Sequence, residues 1–201
     1  MPGVVPSHMQ SSTQPNRDVT GYTLEELTPD SPSSAVAAAR ELLLEYGQFV
    51  ASQGDVASFC YGTLEQEAAA LPKSYIDQGG GAIIAFANSQ PTGFVAWRSF
   101  TNPELSHAWE LKRLWLRPNT RGLGVGRALV QAVIDRALAA QKSAILLDTE
   151  PQSMASAYRL YQKMNFSECP AYNGNALPGI LYMRKNLKTW QKYLAFTPRP
   201  C

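Results

Sequence analysis

Cysteine is scarce in this sequence and widely scattered: Cys60, Cys169 and Cys201 are the only three among 201 residues. An odd number without CxxC spacing excludes a disulfide framework and a four-ligand zinc site, so no metal is expected. Few thiols suit a reducing compartment, and a cytoplasmic location is expected. Long apolar runs are also missing; none reaches the roughly 18 residues needed to span a bilayer. Met1 to Arg17 has no apolar stretch of the secretory-signal kind, and its one arginine makes no amphipathic transit pattern. Neither sign of charge dominates: 18 Lys and Arg against 16 Asp and Glu give a net charge of +2. Binding a polyanion through overall charge is thereby excluded, and only a local basic patch remains open. Neither a membrane nor a nucleic acid is therefore an expected partner.

What is present is enough apolar material for a core. Hydrophobic residues make up 45% and aromatics 10%, and the length suits one domain with short tails. Residues 1–20 are rich in Pro, Ser and Gln and hold no core-forming pattern, so a disordered tail is expected there. The folded body is placed at 21–187. A C-terminal extension, 188–201, keeps Trp190, Tyr193 and Phe196 and is too aromatic for the same reading.

Periodicity supplies the elements. Tyr22 to Leu27 alternates weakly, as an edge strand does, and Ser33 or Ser34 can cap the next helix. Val36, Ala39, Leu43, Tyr46 and Val50 recur at helical spacing. Thr63-Leu64-Glu65-Gln66 reads as a capping box opening a short helix through Ala70. Ala82–Ala87 and Gly93–Phe100 read as a hairpin turning at Gln90-Pro91-Thr92, and Trp109–Leu116 as a third strand ended by Pro118. A long helix runs from Gly124 to about Gln141. Ala144–Thr149 is an apolar run typical of a strand covered on both faces. Ala157, Leu160, Tyr161 and Met164 mark another helix, and Phe166–Ala171 and Ile180–Leu187 the last strands. The order β-α-α-β-β-β-α-β-α-β-β mixes an antiparallel meander with crossover helices. An α/β fold follows, with a mixed, mostly antiparallel sheet flanked by helices.

Chemistry concentrates in Leu116-Arg-Pro-Asn-Thr-Arg121-Gly122-Leu123-Gly124-Val125-Gly126-Arg127. A strand enters a loop with three alternating glycines, and a helix starts there. First-turn amides of a helix are unpaired, and with the helix dipole they make an anion site. Arg121 and Arg127 add positive charge. A Walker A loop is excluded because no Gly-Lys occurs, and a dinucleotide fingerprint fails at Arg127, where glycine is required. A pyrophosphate loop of an acyl-coenzyme A enzyme and a turn that binds nothing remain.

Arg121-Gly-Leu-Gly124-Val-Gly126 resembles the [R/Q]-x-x-G-x-[G/A] signature of the Gcn5-related N-acetyltransferase (GNAT) superfamily. Ala157-Tyr-Arg-Leu-Tyr161-Gln-Lys-Met-Asn-Phe166 resembles its second signature, A-x-x-L-Y-x-x-x-G-F. Two departures are Asn165 where glycine is usual, although asparagine tolerates a left-handed turn, and Met154 where many members carry asparagine. The resemblance covers about residues 20 to 187. It implies an acetyl-CoA-dependent N-acetyltransferase that moves the acetyl group to a primary amine, of a small metabolite, by direct attack in a ternary complex. A protein or peptide amine, or a noncatalytic acyl-CoA sensor, is the alternative, and the chain is expected to be a monomer or homodimer.

The same resemblance distributes roles. The amides of Gly122, Leu123, Gly124, Val125 and Gly126, with Arg121 and Arg127, would hold the pyrophosphate. The backbone of Leu114, Trp115 and Leu116 would pair with the pantetheine arm. Tyr161 matches the tyrosine beside the coenzyme sulfur, a general-acid candidate, though it also lies on an apolar stripe. Glu110 is the general-base candidate, with an ion pair to Lys112 or Arg98 as the alternative. His107 is the other base candidate. Asp148 is read as orienting the loop that follows it, and Tyr172 and Asn173 as lining the acceptor pocket.

Overall fold

The computed structural model describes residues 21–53, 58–173 and 178–187. The expected N-terminal tail and C-terminal extension lie outside them. Strand β1 (Tyr22–Glu26) leads into helices α1 (Ser33–Ala51), α2 (Ser58–Ala69) and the one-turn α3 (Lys73–Ile76). Strands β2 (Gly81–Ala87), β3 (Gln90–Ser99) and β4 (Ala108–Leu116) form the meander. Helix α4 (Val125–Ala139), strand β5 (Ala144–Thr149), helix α5 (Ala155–Lys163) and strands β6 (Ser167–Cys169) and β7 (Leu181–Asn186) follow.

The seven strands make one sheet in the order β1-β2-β3-β4-β5-β7-β6. Only β4 and β5 run parallel; every other pair is antiparallel. The mixed, mostly antiparallel sheet read from the sequence is the one observed, with α3 as the added element. Helices cover both faces. On one, α4 and α5 pack Leu129, Val133, Ala137 and Tyr161 against Val95, Leu111, Ile145 and Leu147. On the other, α1, α2 and α3 pack Ala39, Leu42, Leu43, Leu64 and Tyr75 against Ile84, Phe94 and Ala96. The run Ala144–Leu147 is buried residue by residue, as a strand between two helical layers requires.

Four local readings need correction. Helix α1 buries Ala35, Ala39, Leu42, Leu43 and Gly47, so its stripe is rotated and Tyr46 and Val50 lie at its margin. That helix starts at Ser33 after an N-cap Pro32, with no side-chain cap, so neither serine caps it. Thr63 lies inside α2, which begins at Ser58, and opens no helix. The hairpin turns at Asn88-Ser89, with φ of 48° and 61°, and not at Gln90-Pro91-Thr92. Two left-handed residues match the twist of a two-residue hairpin, which is why the turn sits there.

Among the described residues no helix is long and apolar enough to cross a membrane.

Candidate active site

The site begins with an irregularity in β4. Phe94 pairs with Trp115, but two residues on, Ala96 pairs with Lys112, so Arg113 and Leu114 together oppose Val95. This is a β-bulge, and Arg113 sits in the left-handed region at φ 60°. Such a conformation costs a non-glycine residue about 1–3 kcal/mol and needs support. Support comes from a guanidinium that is almost fully buried. Arg113 donates from Nε to Glu67 Oε2 at 3.0 Å and from Nη2 to Glu67 Oε1 at 2.9 Å. Tyr75 donates its hydroxyl to the same Oε2 at 2.8 Å. Burial pushes the Glu67 carboxyl up, but the Arg113 hydrogen bonds and charge and the Tyr75 hydroxyl outweigh it and hold it below its ordinary value.

On its other side β4 loses β5 as a partner before the bulge is reached. Its pairing with β5 is limited to Ala108–Ala144, Trp109–Ile145 and Glu110–Leu146. From Lys112 to Leu116 the two strands diverge, and a cleft of about 470 Å³ opens there. Its wall is Leu114, Trp115 and Leu116 on one side and Met154, Ala157, Leu160 and Lys163 on the other. Tyr46 and Phe49 of α1 close one end, packed on Trp115 with ring centroids 6.3 and 5.2 Å away. The glycine loop forms the other end.

In that loop, Gly122 and Gly124 both have φ of 84°, and a Cβ built on either would meet nothing within 4 Å. Their backbones therefore face open cleft, in a conformation that favours glycine. Gly124 is the N-cap of α4, and the first bond of the helix runs from Ala128 N to Gly124 O at 3.0 Å. The amides of Val125, Gly126 and Arg127 consequently have no helical acceptor. Gly126 has another reason to be glycine: a Cβ there would lie 2.8 Å from Leu116 Cδ1, so its absence lets α4 pack close to the end of β4. Arg121 reaches back from Nε to Leu116 O at 3.3 Å, and its guanidinium lies 5.4 Å from the Trp115 ring centroid. Arg127 lines the same end.

Of the residues singled out from sequence, the cleft wall brings together Leu114, Trp115, Leu116, Arg121, Gly122, Gly124, Gly126 and Arg127. Leu123 turns its side chain to solvent and Val125 buries its own in the core, so both offer only backbone. Asn165 takes the left-handed conformation expected of it, at φ 60°, and Met154 is the N-cap of α5. Tyr161 is buried against Phe166, with ring centroids 5.6 Å apart. Burial raises its phenol pKa, and Tyr46 and Asp148 raise it further, so it holds its proton at neutral pH.

Glu110 is 2% exposed and fully engaged. It accepts from Arg98 Nε at 2.7 Å, from the Tyr172 hydroxyl at 3.1 Å and, at 3.5 Å, from Lys112 Nζ. Lys112 also stands 3.7 Å from Asp148 on β5. Tyr172 is packed edge-on between Phe100 and Tyr182, and Asn173 hydrogen-bonds Tyr182. His107 is exposed in the loop before β4, seven residues ahead of Leu114, or roughly 23 Å along a strand. It is remote from the cleft. Sequence reasoning missed Glu67, whose pairing with Arg113 spans 46 residues and has no local signal. Tyr46, read as part of the buried stripe of α1, packs against the core and also lines the cleft.

Comparison with known proteins shows the family. The family described as Acetyltransferase (GNAT) matches residues 38–166, which is more than half of the chain. An uncharacterised N-acetyltransferase of Schizosaccharomyces pombe is 36% identical over 92 residues, 46% of this chain and 54% of that protein. The N-acetylaspartate synthetase of Xenopus tropicalis is 27% identical over 113 residues, 56% of this chain and 40% of that one. The chain thus spans about half the length, or less, of these relatives. A Salmonella typhimurium acetyltransferase solved with its cofactor acetyl-CoA superposes with a TM-score of 0.58 at 17% identity, covering 90% of this chain and 99% of that one. At such identity the likeness is one of fold.

Proposed function

Because the chain belongs to the GNAT acetyltransferase family, we propose that it transfers an acetyl group from acetyl-CoA to the primary amine of a small metabolite, by direct attack within a ternary complex. The observation that carries this reading is the cleft itself. It has a cradle of open-facing glycines and unbonded helix amides at one end, and an unpaired strand edge leading away from it. A diphosphate fits the first and an amide-bearing arm the second. The bound coenzyme supplies a thioester, which an amine attacks with loss of a thiolate.

The chain's residues then have distinct tasks. The amides of Gly122 to Gly126, with Arg121 and Arg127, hold the diphosphate. The backbone of Leu114 to Leu116 pairs with the arm, and an amide there polarises the acetyl carbonyl. Tyr161 keeps its proton until a thiolate forms beside it. Glu110 anchors Arg98, Lys112 and Tyr172 at the closed end of the split, and its three partners favour that role over taking a proton itself. Tyr172 and Asn173 line the acceptor side. The name of the relative N-acetylaspartate synthetase supports an amino-acid-like acceptor.

The test is thiol release from acetyl-CoA with a library of amines, alongside calorimetry with coenzyme A. Binding with turnover is expected. Binding without turnover of any amine selects the acyl-CoA sensor instead, and absence of binding refutes both.

A further inference from the structure

Two ionic side chains face each other at the point where the sheet splits. The last pair joining β4 to β5 is Glu110–Leu146. Lys112 and Asp148 each stand two residues further along their strand, on the face that carries Glu110 and Leu146, because side chains alternate along a strand. An arm paired with Leu114–Leu116 and running toward the closed end of the split would carry its thioester toward them.

The neighbouring charges differ in how firmly they are held. Arg98 and Glu110 are locked at 2.7 Å, and Glu110 is buried. Lys112 and Asp148 are 3.7 Å apart, with side chains 16% and 33% exposed. Beyond hydrogen-bond distance and half-buried, that second pair is held less firmly than the first. The four charges sum to zero. A bare ammonium arriving at Asp148 would leave Lys112 only Glu110, 3.5 Å away and already paired with Arg98, whereas a zwitterion replaces both ends of the pair and keeps the balance. Phe100, Tyr172 and Tyr182 stand beside this group as an aromatic wall.

We infer that Asp148 and Lys112 form the acceptor subsite and select an α-amino acid, with Asp148 receiving its amino group and Lys112 its carboxylate. This rests on the transferase reading above. The α-amino group lies against the exposed Asp148 oxygen and gives its proton to adjoining water. The neutral nitrogen then bonds to the acetyl carbon and the carbon–sulfur bond breaks; the thiolate takes the Tyr161 proton, and the second proton leaving the nitrogen returns to the tyrosine through water, so amide, free thiol and neutral phenol result.

The experiment uses the full chain with acetyl-CoA and matched acceptors: a set of α-amino acids, their amides and their decarboxylated amines. For at least one side chain, kcat/KM of the acid should exceed that of its amide by at least about tenfold. Lys112→Gln should bring this ratio toward one. Asp148→Asn should lower kcat/KM at least about tenfold for every acceptor, with coenzyme affinity and Tm close to wild type. Acids and amides used equally well, or a ratio that survives Lys112→Gln, would overturn the subsite while leaving the transferase standing. No turnover of any amine would overturn the transferase reading and the subsite with it.

Discussion

Replacing Gly124 by alanine separates what the glycine loop does for folding from what it does for a ligand. At φ 84° an L side chain costs roughly 1–2 kcal/mol. A chain of this length loses about 2–4 °C of Tm per kcal/mol, so Tm should fall by about 2–8 °C. The new methyl meets no protein atom within 4 Å and projects into the cleft, so no clash adds to that cost. A coenzyme diphosphate laid on the loop would meet the methyl where it needs the backbone. Affinity for coenzyme A in calorimetry should fall at least about tenfold, or about 1.4 kcal/mol. Gly179→Ala is the control. Gly179 has φ of 85°, and its Cβ would make only an ordinary contact of 3.7 Å to Glu150 Oε1. It should lose similar Tm and keep coenzyme affinity. If Gly124→Ala and Gly179→Ala lose equal stability and both bind coenzyme A like wild type, the loop is a turn and not a diphosphate cradle.

Tyr161→Phe keeps the ring on Phe166 and removes the proton; thiol release should drop about 100-fold with Tm nearly unchanged, and wild-type turnover with chemistry rate-limiting would remove Tyr161 from the reaction. Glu67→Gln replaces the charged partner of buried Arg113 and should cost about 2 kcal/mol in urea unfolding at neutral pH. Because the Glu67 carboxyl is held below its ordinary value of 4.5, its stabilisation is present above that pH and is lost as pH falls through the depressed value. Wild type and variant should therefore converge in acid, and a gap constant down to pH 2 would contradict the ion pair. Gly126→Ala should destabilise by about 1–3 kcal/mol through overpacking, since its Cβ would press on Leu116; an unchanged Tm would show that Leu116 moves aside freely.

What is written in local pattern was legible from the residues alone. Alternating glycines after a strand predict a loop that exposes amides, and Gly122 and Gly124 adopt the left-handed conformation that residue type favours. The apolar run at 144–149 and the helix after Gly124 follow from side-chain period, which depends on near neighbours alone. Asn165 is legible for the same reason: few residues other than glycine accept its backbone angle. The rest came from long-range packing, because it depends on which distant segment arrives opposite. Glu67 looks like any helical glutamate until the β4 bulge turns Arg113 toward it. Glu110 has the same spacing whether it takes a proton or sits locked by Arg98 and Tyr172, and the choice comes from strands that pack beside it. Lys112 and Asp148 meet because a parallel pair stops after three residues. Where two strands part company depends on how distant segments pack, and no window of sequence contains them all.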